Sequence, residues 1–290
     1  MIGSQNKAPD SGAFLLSIEE KSRILRAVYA AGEAILSIYE EPFRVEHKPD
    51  ASPLTAADKA AHRVLDSALS QTPYPVFSEE GVLVPYDVRK SWDYYWLIDP
   101  LDGTKEFIKK NGEFTVNVAL IHKGKALLGI VYAPVLGWLY WGEHSIGAFK
   151  ANQRVEYADL VTDDHRLKRL GLPKKLTVVA SRSHVSAETE ALLEEWGATY
   201  GPVECINMGS SLKICLVAEG KAHAYPRLAP TMEWDTAAGQ AVAEASGCQV
   251  FAVELVDGRP VWKNSLSYNK PDPRNPWFLV CGAPYLCGHA

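Results

Sequence analysis

The spacing of apolar residues predicts two amphipathic helices near the start of the chain. Between residues 17 and 40, apolar positions recur every three or four residues, as they do on one buried face of a helix. Ser17 and Glu20 form a capping-box pattern at the beginning of this helix, and Pro42 follows its end. A second helix is predicted from about residue 55 to residue 69.

The next stretch is rich in residues typical of strands. The aromatic and β-branched run at 94–98 predicts a buried strand that ends at Asp99, because Pro100 cannot donate to a sheet ladder. A short strand is predicted before Glu79. Lys123-Gly124-Lys125 is a hairpin signal, and it indicates one antiparallel sheet built from 115–122, 126–134, 138–141 and 147–150.

The second half of the chain alternates predicted strands with predicted helices. The strands lie at 176–180 and 222–225, and a hairpin over Asp257-Gly258 joins 248–254 to residues around Val261. The helices lie at 186–196, 210–219 and 234–246, each followed by a glycine. This alternation indicates a layered α/β half. We therefore predict a flexible extension at 1–16, an α+β half at 17–155 and an α/β half at 156–290, which together form one compact unit.

Composition narrows the class of protein. The 290 residues are 47% hydrophobic and 22% charged, with a formal net charge of −5, which is ordinary for a globular protein and leaves no basic footprint for nucleic acid. Five cysteines without C-x-x-C spacing argue against a disulfide framework and against zinc. No apolar run is long enough to span a membrane, and the polar start has no signal core. We expect a cytoplasmic protein without a membrane span.

The candidate chemistry centres on Asp99-Pro100-Leu101-Asp102-Gly103-Thr104. Two carboxylates three residues apart in a tight turn repel each other, and a divalent cation such as Mg²⁺ would relieve the repulsion. The Leu101 carbonyl is a further candidate ligand. Gly103 and Thr104 open a short helical segment whose backbone N–H groups can hold phosphate oxygens. Asp, Pro and Gly are also common turn formers, so this segment alone favours a structural turn, and the functional interpretation depends on partners elsewhere in the chain.

Further acids elsewhere have both structural and functional interpretations. Asp58 comes three residues after a candidate N-cap threonine, so it either stabilises a helix start or faces the metal site. Glu79 and Glu80 end a short strand, where they are either solvated or serve as a metal ligand and a neighbouring base. Asp235 is either an N-cap or one more carboxylate ligand.

Two segments offer positive charge for an anion. Gly209-Ser210-Ser211-Leu212-Lys213 opens a helix with small residues and places a lysine one turn in. Arg227, after Tyr225-Pro226, is either a second anion clamp or an ordinary surface arginine.

Four acidic motifs stand in a fixed order, and together they resemble the inositol monophosphatase superfamily of magnesium-dependent, lithium-sensitive phosphomonoesterases. The motifs are TAAD at 55–58, SEE at 78–80, DPLDGT at 99–104 and WDTAAG at 234–239. The segments at 99–117, 208–222 and 225–239 resemble the bacterial 3′(2′),5′-bisphosphate nucleotidase branch. That branch hydrolyses 3′-phosphoadenosine 5′-phosphate to AMP, often also 3′-phosphoadenylyl sulfate, and serves sulfur assimilation.

The resemblance implies a fold and a set of roles. The fold is a layered α-β-α-β-α sandwich of the inositol monophosphatase and fructose-1,6-bisphosphatase type. Two or three Mg²⁺ ions per site are implied, held by Glu79, Asp99, the Leu101 carbonyl, Asp102, Asp235 and Asp58. Glu79, Glu80, Thr104 and Asp58 are the implied catalytic residues, acting by attack of a metal-activated water.

The substrate side of the site is expected to use Leu101, Asp102, Gly103, Thr104, Ser210, Ser211, Lys213, Arg227 and Asp235. Ser181, Arg182 and His184 are candidates for lining the nucleoside pocket. We expect a small phosphorylated nucleotide as the partner, no nucleic acid, and a monomer or homodimer. The alternatives are an inositol- or sugar-phosphate phosphatase of the same superfamily, or a catalytically silent protein that binds phosphorylated ligands.

Overall fold

Two six-stranded sheets organise the computed structural model, which describes residues 16–40, 45–47, 53–167, 174–180, 186–256 and 259–287. The helices in these ranges are α1 (Ile18–Tyr39), α2 (Ala56–Leu69), α3 (Tyr86–Arg89), α4 (Thr104–Ile108), α5 (Tyr157–Leu160), α6 (Ala187–Tyr200), α7 (Leu212–Ala218) and α8 (Glu233–Ala245). A 3-10 turn covers Pro284–Cys287. The prediction for the extension at 1–16 concerns residues that lie almost entirely outside the described ranges.

The first sheet has the strand order β3-β4-β5-β6-β7-β8. A separate two-stranded antiparallel sheet consists of β1 (Val45–His47) and β2 (Pro53–Thr55). The strands of the first sheet are β3 (Val76–Ser78), β4 (Tyr94–Asp102), β5 (Thr115–His122), β6 (Lys125–Ala133), β7 (Trp138–Glu143) and β8 (Gly147–Ala151). All pairs except parallel β3–β4 are antiparallel. Lys123 and Gly124 have φ of 47° and 78°, the paired positive values of a tight hairpin turn, so the predicted hairpin is confirmed.

The second sheet has the order β10-β9-β11-β14-β12-β13. Its strands are β9 (Thr177–Ala180), β10 (Glu204–Asn207), β11 (Ala224–Arg227), β12 (Gln249–Val256), β13 (Arg259–Trp262) and β14 (Trp277–Cys281). β10, β9 and β11 run parallel, while β14, β12 and β13 pair antiparallel. The strands of the first sheet all precede residue 156 and those of the second all follow it, although the division into two halves stays a prediction.

The helices and sheets form five layers, and three clusters of buried hydrophobic residues lie between these layers. Helices α1 and α2 pack on one face of the first sheet, where Trp96 and Trp141 are fully buried. The other face of that sheet and one face of the second sheet enclose α7 and α8. The far face of the second sheet packs on α6. The predicted α-β-α-β-α sandwich is therefore confirmed.

Helix α8 approaches the first sheet unusually closely because two glycines of the sheet face it. A Cβ on Gly129 would lie 2.1 Å from the Ala238 carbonyl oxygen, and one on Gly142 would lie 2.3 Å from the Val242 Cα. No side chain fits between these backbones. The glycines thus set the distance between the first sheet and the helix that carries Asp235.

Several sequence predictions need correction. β4 does not end at Asp99 but continues to Asp102, because an irregularity in the ladder accommodates Pro100 inside the strand. Helix α6 runs through Gly197 and ends at Gly201, whose φ of 94° suits a glycine. Cys281 is disulfide-bonded, whereas Cys205, Cys215 and Cys248 are free thiols. The expectation of no disulfide framework therefore has to allow for this bond.

None of the helices in the described ranges combines the length and the apolar character that crossing a bilayer requires.

Candidate active site

The irregular end of β4 brings two acids together. β4 and β5 pair regularly up to Asp99 and Asn117, and the register shifts before Asp102 pairs with Thr115. Asp99 is only 1% exposed, and its Oδ1 accepts a hydrogen bond from the Leu101 N–H at 3.0 Å. The chain therefore folds back on the Asp99 carboxylate within two residues, which turns Leu101 inward and brings Asp102 to the same end of the strand.

Three acids from other elements surround this point. Asp58 lies buried in the first turn of α2, and Glu79 follows β3, where its N–H donates to the Ile98 carbonyl at 3.2 Å. Asp235 lies in the first turn of α8. Burial raises the pKa of Asp99 well above its ordinary value, and four carboxylates raise it further: Glu79, Asp102, Asp235 and Asp58. Like charges that act this strongly on one buried group form a single electrostatic site.

Asp235 is not the N-cap residue that one interpretation of the sequence expected. Met232 occupies that position, and its N–H donates to Asp235 Oδ2 at 2.8 Å. Burial, followed by the neighbouring Asp102 carboxylate, raises the pKa of Asp235 to about 8. The carboxylate therefore stabilises the start of α8 with one oxygen while it faces the acidic site.

Asp99, Asp102 and Asp235 use their oxygens in the same way. In each, one oxygen accepts a backbone N–H, from Leu101, Ser211 and Met232 respectively. The other oxygen of each carboxylate makes no hydrogen bond to any residue that the structure describes. Three acceptor oxygens thus remain at one site that is rich in negative charge.

This donor set fits Mg²⁺. Carboxylate oxygens and main-chain carbonyls are the ligands of hard divalent cations, and a cation would relieve the repulsion that raises the pKa of Asp99. Within the described ranges, no three His, Cys, Asp or Glu side chains are already gathered closely enough to hold an ion. The carboxylates of the site therefore have to move closer together when an ion binds.

Gly103 begins the segment predicted to hold phosphate. It has a φ of 94° and precedes α4, which starts at Thr104 as predicted. A Cβ on Gly103 would lie 3.3 Å from Glu106 Oε2 and from Ser210 Cβ, so both the backbone conformation and the space favour glycine. Thr104 and Glu80 are half-buried, and the Glu80 N–H donates to Ser78 Oγ at 3.3 Å. Their catalytic roles stay predictions.

A pocket of about 400 Å³ adjoins the acids and contains the predicted cations. Asp102, Gly103 and Asp235 line it, and so do Lys213 and Arg227. Lys213 Nζ donates to the Ser210 carbonyl at 2.7 Å, and Arg227 donates to the Pro230 carbonyl at 3.4 Å. Arg227 Nε is buried without a hydrogen-bond partner among the described residues. Arg227 therefore lies half-buried in the pocket wall with a donor that no described residue accepts, and its role as an anion clamp stays a prediction.

Ser210 has two unusual properties in this pocket. Its φ is 47°, a conformation that residues other than glycine rarely adopt, and its Oγ is buried without a hydrogen-bond partner in the described part of the chain. Strained backbone and an unpaired hydroxyl are typical of a residue that binds a ligand. Ser181, Arg182 and His184, the other candidates for the substrate pocket, lie outside the described residues.

Sequence reasoning missed residues that support the acids. Asn117 of β5 contacts both Ser211 and Asp102. Asn117 and Thr115 are polar residues two positions apart on one face of this buried strand, and that pattern was visible in the sequence. Glu233 is fully buried and accepts from Lys270 Nζ at 2.6 Å and from the Asn269 N–H at 2.9 Å. This ion pair secures the first turn of α8.

The chain belongs to the inositol monophosphatase family, whose model matches residues 20–270. Enzymes of this family are generally metal-dependent, typically with Mg²⁺. Among its relatives is the 3′(2′),5′-bisphosphate nucleotidase CysQ of Escherichia coli K12, which is 48% identical over 224 residues, covering 76% of this chain and 85% of the relative. CysQ of Haemophilus influenzae is 32% identical over 265 residues, covering 90% of this chain and 92% of the relative.

Solved structures agree with this assignment. The crystal structure of CysQ from Bacteroides thetaiotaomicron is 46% identical and covers 90% of this chain and 96% of its own, with a TM-score of 0.78. The inositol monophosphatase from Anabaena is 21% identical with a TM-score of 0.61, covering 92% of this chain and 91% of its own, and it supports the fold alone. The predicted superfamily and the likeness to bacterial bisphosphate nucleotidases are confirmed.

Proposed function

We propose that this chain is a Mg²⁺-dependent phosphomonoesterase that removes the 3′-phosphate of adenosine 3′,5′-bisphosphate, giving AMP and inorganic phosphate. 3′-Phosphoadenylyl sulfate carries the same 3′-phosphate and is the proposed second substrate. One observation carries the proposal. A single pocket joins Asp102 and Asp235 of the acidic site to the cations Lys213 and Arg227. A bisphosphate needs a place for cleavage and a separate anchor for its second phosphate, and this pocket offers both.

The metal would be held by the carboxylates that act on Asp99. Glu79, Asp99 and the Leu101 carbonyl form one proposed ligand group, and Asp99, Asp102 and Asp235 form a second, with Asp58 assisting a weaker third. When bound, Mg²⁺ supplies positive charge against the phosphate oxygens and promotes deprotonation of the attacking water. The unbonded oxygens of Asp99, Asp102 and Asp235 support this assignment.

The chain's own groups position the reaction. Backbone N–H groups of Gly103 and Thr104 hold the phosphate oxygens, and the left-handed conformation of Gly103 suits this cradle. Glu79 or Glu80, with the Thr104 hydroxyl, orients the water in line with the bond to be broken and accepts its proton. The water oxygen forms a new bond to phosphorus as the bond to the 3′-oxygen breaks. The departing 3′-oxygen takes up a proton from bulk water, and the glutamate returns to bulk water the proton that it accepted. No covalent phosphoenzyme is required.

Lys213, Arg227 and Ser210 form the proposed anchor for the second phosphate. Arginine and lysine are the usual partners of phosphate oxygens, and the buried Arg227 Nε and Ser210 Oγ both have hydrogen-bonding capacity to offer. An inositol monophosphate has no second phosphate and would leave this anchor unused. The anchor therefore favours a bisphosphorylated substrate over a simple monoester.

The test compares phosphate release from adenosine 3′,5′-bisphosphate and from inositol 1-phosphate under identical conditions. Each ester is assayed with Mg²⁺, with EDTA and with added Li⁺. We expect a strong preference for the nucleotide, loss of activity in EDTA, and inhibition by Li⁺. Preference for the inositol ester would retain the metal chemistry but overturn the proposed substrate. Release from neither ester, by a protein that still binds Mg²⁺, would favour a catalytically silent phosphate-binding protein.

A further inference from the structure

Two adjacent serines at the start of α7 have opposite surroundings. Ser210 Oγ has no hydrogen-bond partner among the described residues and lines the pocket. Ser211 is only 3% exposed, and every hydrogen-bonding group of its side chain is engaged within the protein. The two residues share a sequence context but not a function. Ser210 suits a contact with the substrate, whereas Ser211 is already committed to the protein.

Ser211 connects the two strands and the helix that surround the acids. Its backbone N–H donates to Asp102 Oδ2 at 2.6 Å. Its Oγ lies 2.8 Å from the same Oδ2 and 2.7 Å from the Asp235 carbonyl oxygen, and it accepts from Asn117 Nδ2 at 2.8 Å. The N-cap residue of α7 thus joins the end of β4, the strand β5 and the first turn of α8.

Counting hydrogens shows how this contact works. A hydroxyl has one proton, so Ser211 Oγ donates either to Asp102 Oδ2 or to the Asp235 carbonyl, while Asn117 occupies a lone pair. In both arrangements the Ser211 N–H keeps its bond to Asp102 Oδ2. That oxygen is therefore held toward α7, and the other Asp102 oxygen is left for a cation.

We propose that Ser211 is a positioning residue that raises the affinity of the acidic site for Mg²⁺ by orienting Asp102 against Asp235. The proposal rests on the proposed function, because it takes both acids as metal ligands. Groups that hydrogen-bond to a metal-binding carboxylate set its orientation, and their loss commonly weakens metal binding about 10- to 100-fold. Ser211 would affect the substrate only through the metal site.

The experiment measures Mg²⁺ binding by calorimetry, independently of activity, in the wild-type chain and in three variants. Ser211→Ala removes the hydroxyl and retains the backbone N–H, and we expect its Mg²⁺ dissociation constant to rise about 10- to 100-fold. Ser211→Thr restores the hydroxyl and should recover much of the affinity. Ser210→Ala is the matched control, and we expect it to raise the KM for the bisphosphate while leaving Mg²⁺ binding unchanged.

Activity gives a second readout. The Mg²⁺ concentration for half-maximal activity should rise in Ser211→Ala, while kcat at saturating Mg²⁺ approaches the wild-type value. A Mg²⁺ dissociation constant within twofold of wild type would overturn the proposal, and so would a raised substrate KM with unchanged metal binding. If Ser211→Ala does not fold, Ser211→Gly removes the same hydroxyl and retains the backbone N–H, and unchanged Mg²⁺ binding in that variant would overturn the proposal.

These outcomes separate the two proposals. If the wild-type chain binds Mg²⁺ and the Ser211→Ala variant binds it more weakly, the role of Ser211 stands even when no phosphate ester is hydrolysed. If the wild-type chain hydrolyses the bisphosphate with Mg²⁺ and Ser211→Ala binds the metal normally, the role of Ser211 falls and the function stands. A wild-type chain that binds no Mg²⁺ would overturn both.

Discussion

The charge of Lys213 should control how the preference for a bisphosphate changes with pH. Burial lowers the pKa of Lys213 from its ordinary value of 10.5 to about 8. The positive charge of Arg227 also lowers the pKa of Lys213. The negative charges of three carboxylates raise it: Asp102, Glu106 and Asp235. The lysine is therefore charged below pH 8 and loses its charge as the pH rises through that value.

The size of the effect follows from the pKa. A lysine with a pKa of about 8 is charged in about nine-tenths of molecules at pH 7 and in about one-tenth at pH 9. If only the charged form anchors the second phosphate, kcat/KM for the bisphosphate falls about tenfold more than kcat/KM for a monophosphate over this interval, which corresponds to about 1.4 kcal/mol. The second pKa of the substrate phosphate is about 6, so the phosphate is mostly doubly charged between pH 7 and pH 9.

The assay measures kcat/KM for adenosine 3′,5′-bisphosphate and for adenosine 3′-monophosphate at saturating Mg²⁺ between pH 6.5 and 9.5. Any effect of pH on the attacking water changes both kcat/KM values equally, so it cancels in their ratio. Lys213→Arg keeps the charge and should make the ratio independent of pH. Lys213→Ala should lower the ratio about 10- to 100-fold at pH 7, the effect of losing a hydrogen bond to a charged group. A wild-type ratio that is constant from pH 7 to pH 9 would refute the reasoning.

Other predictions concern the acids and the packing of the helices. Asp99→Asn should lower kcat by more than about 1,000-fold, because it removes a ligand charge. It should also raise the melting temperature in EDTA, since it relieves the repulsion that raises the pKa of Asp99. Phosphate release and thermal unfolding check both effects, and an active variant would contradict the assignment. Gly129→Ala should lower the free energy of unfolding in urea by about 2 kcal/mol or more, because its Cβ would lie 2.1 Å from the Ala238 oxygen. Gly197 lies within a helix, and a Cβ there would have its nearest neighbour, Val203 Cγ2, at 3.8 Å. Gly197→Ala should therefore raise the free energy of unfolding by about 0.5–1 kcal/mol, because alanine favours the helix over glycine. A lower free energy of unfolding in this variant would refute the packing argument.

Local signals in the sequence account for much of the fold. The capping box of Ser17 with Glu20 forms as predicted at the start of α1. The hairpin turn at Lys123-Gly124 is also local, because two residues with positive φ define it. Such features need only neighbours in the chain, so residue type and spacing are sufficient to predict them.

Predictions failed where distant packing decides the outcome. Pro100 is a local signal to leave the sheet, but β5 pairs on both sides of the irregularity and keeps the chain in β4. Gly197 is a local signal to end a helix, yet Trp196 packs into the core beneath the second sheet and α6 continues to Tyr200. The strand β10 went unpredicted because its residues lie at an exposed sheet edge and show no apolar alternation.

The candidate site shows the same division. The acids Asp99, Asp102 and Asp235 stand out by residue type within short motifs, so sequence reasoning can find them. The contact of Asn117 with Ser211 joins residues 94 positions apart, and the ion pair of Glu233 with Lys270 joins residues 37 apart. Only the folded chain reveals such pairs, and in this site they orient the acids that the motifs supply.

The central claim is that the acidic site and the cationic pocket together remove one particular phosphate. The most direct test follows adenosine 3′,5′-bisphosphate by ³¹P NMR during hydrolysis, with Mg²⁺ and with EDTA. The account predicts that the 3′-phosphate signal disappears, that inorganic phosphate appears in equal amount, and that the 5′-phosphate of AMP remains, only when Mg²⁺ is present. Adenosine 3′-monophosphate as the product, or undiminished hydrolysis in EDTA, would contradict it.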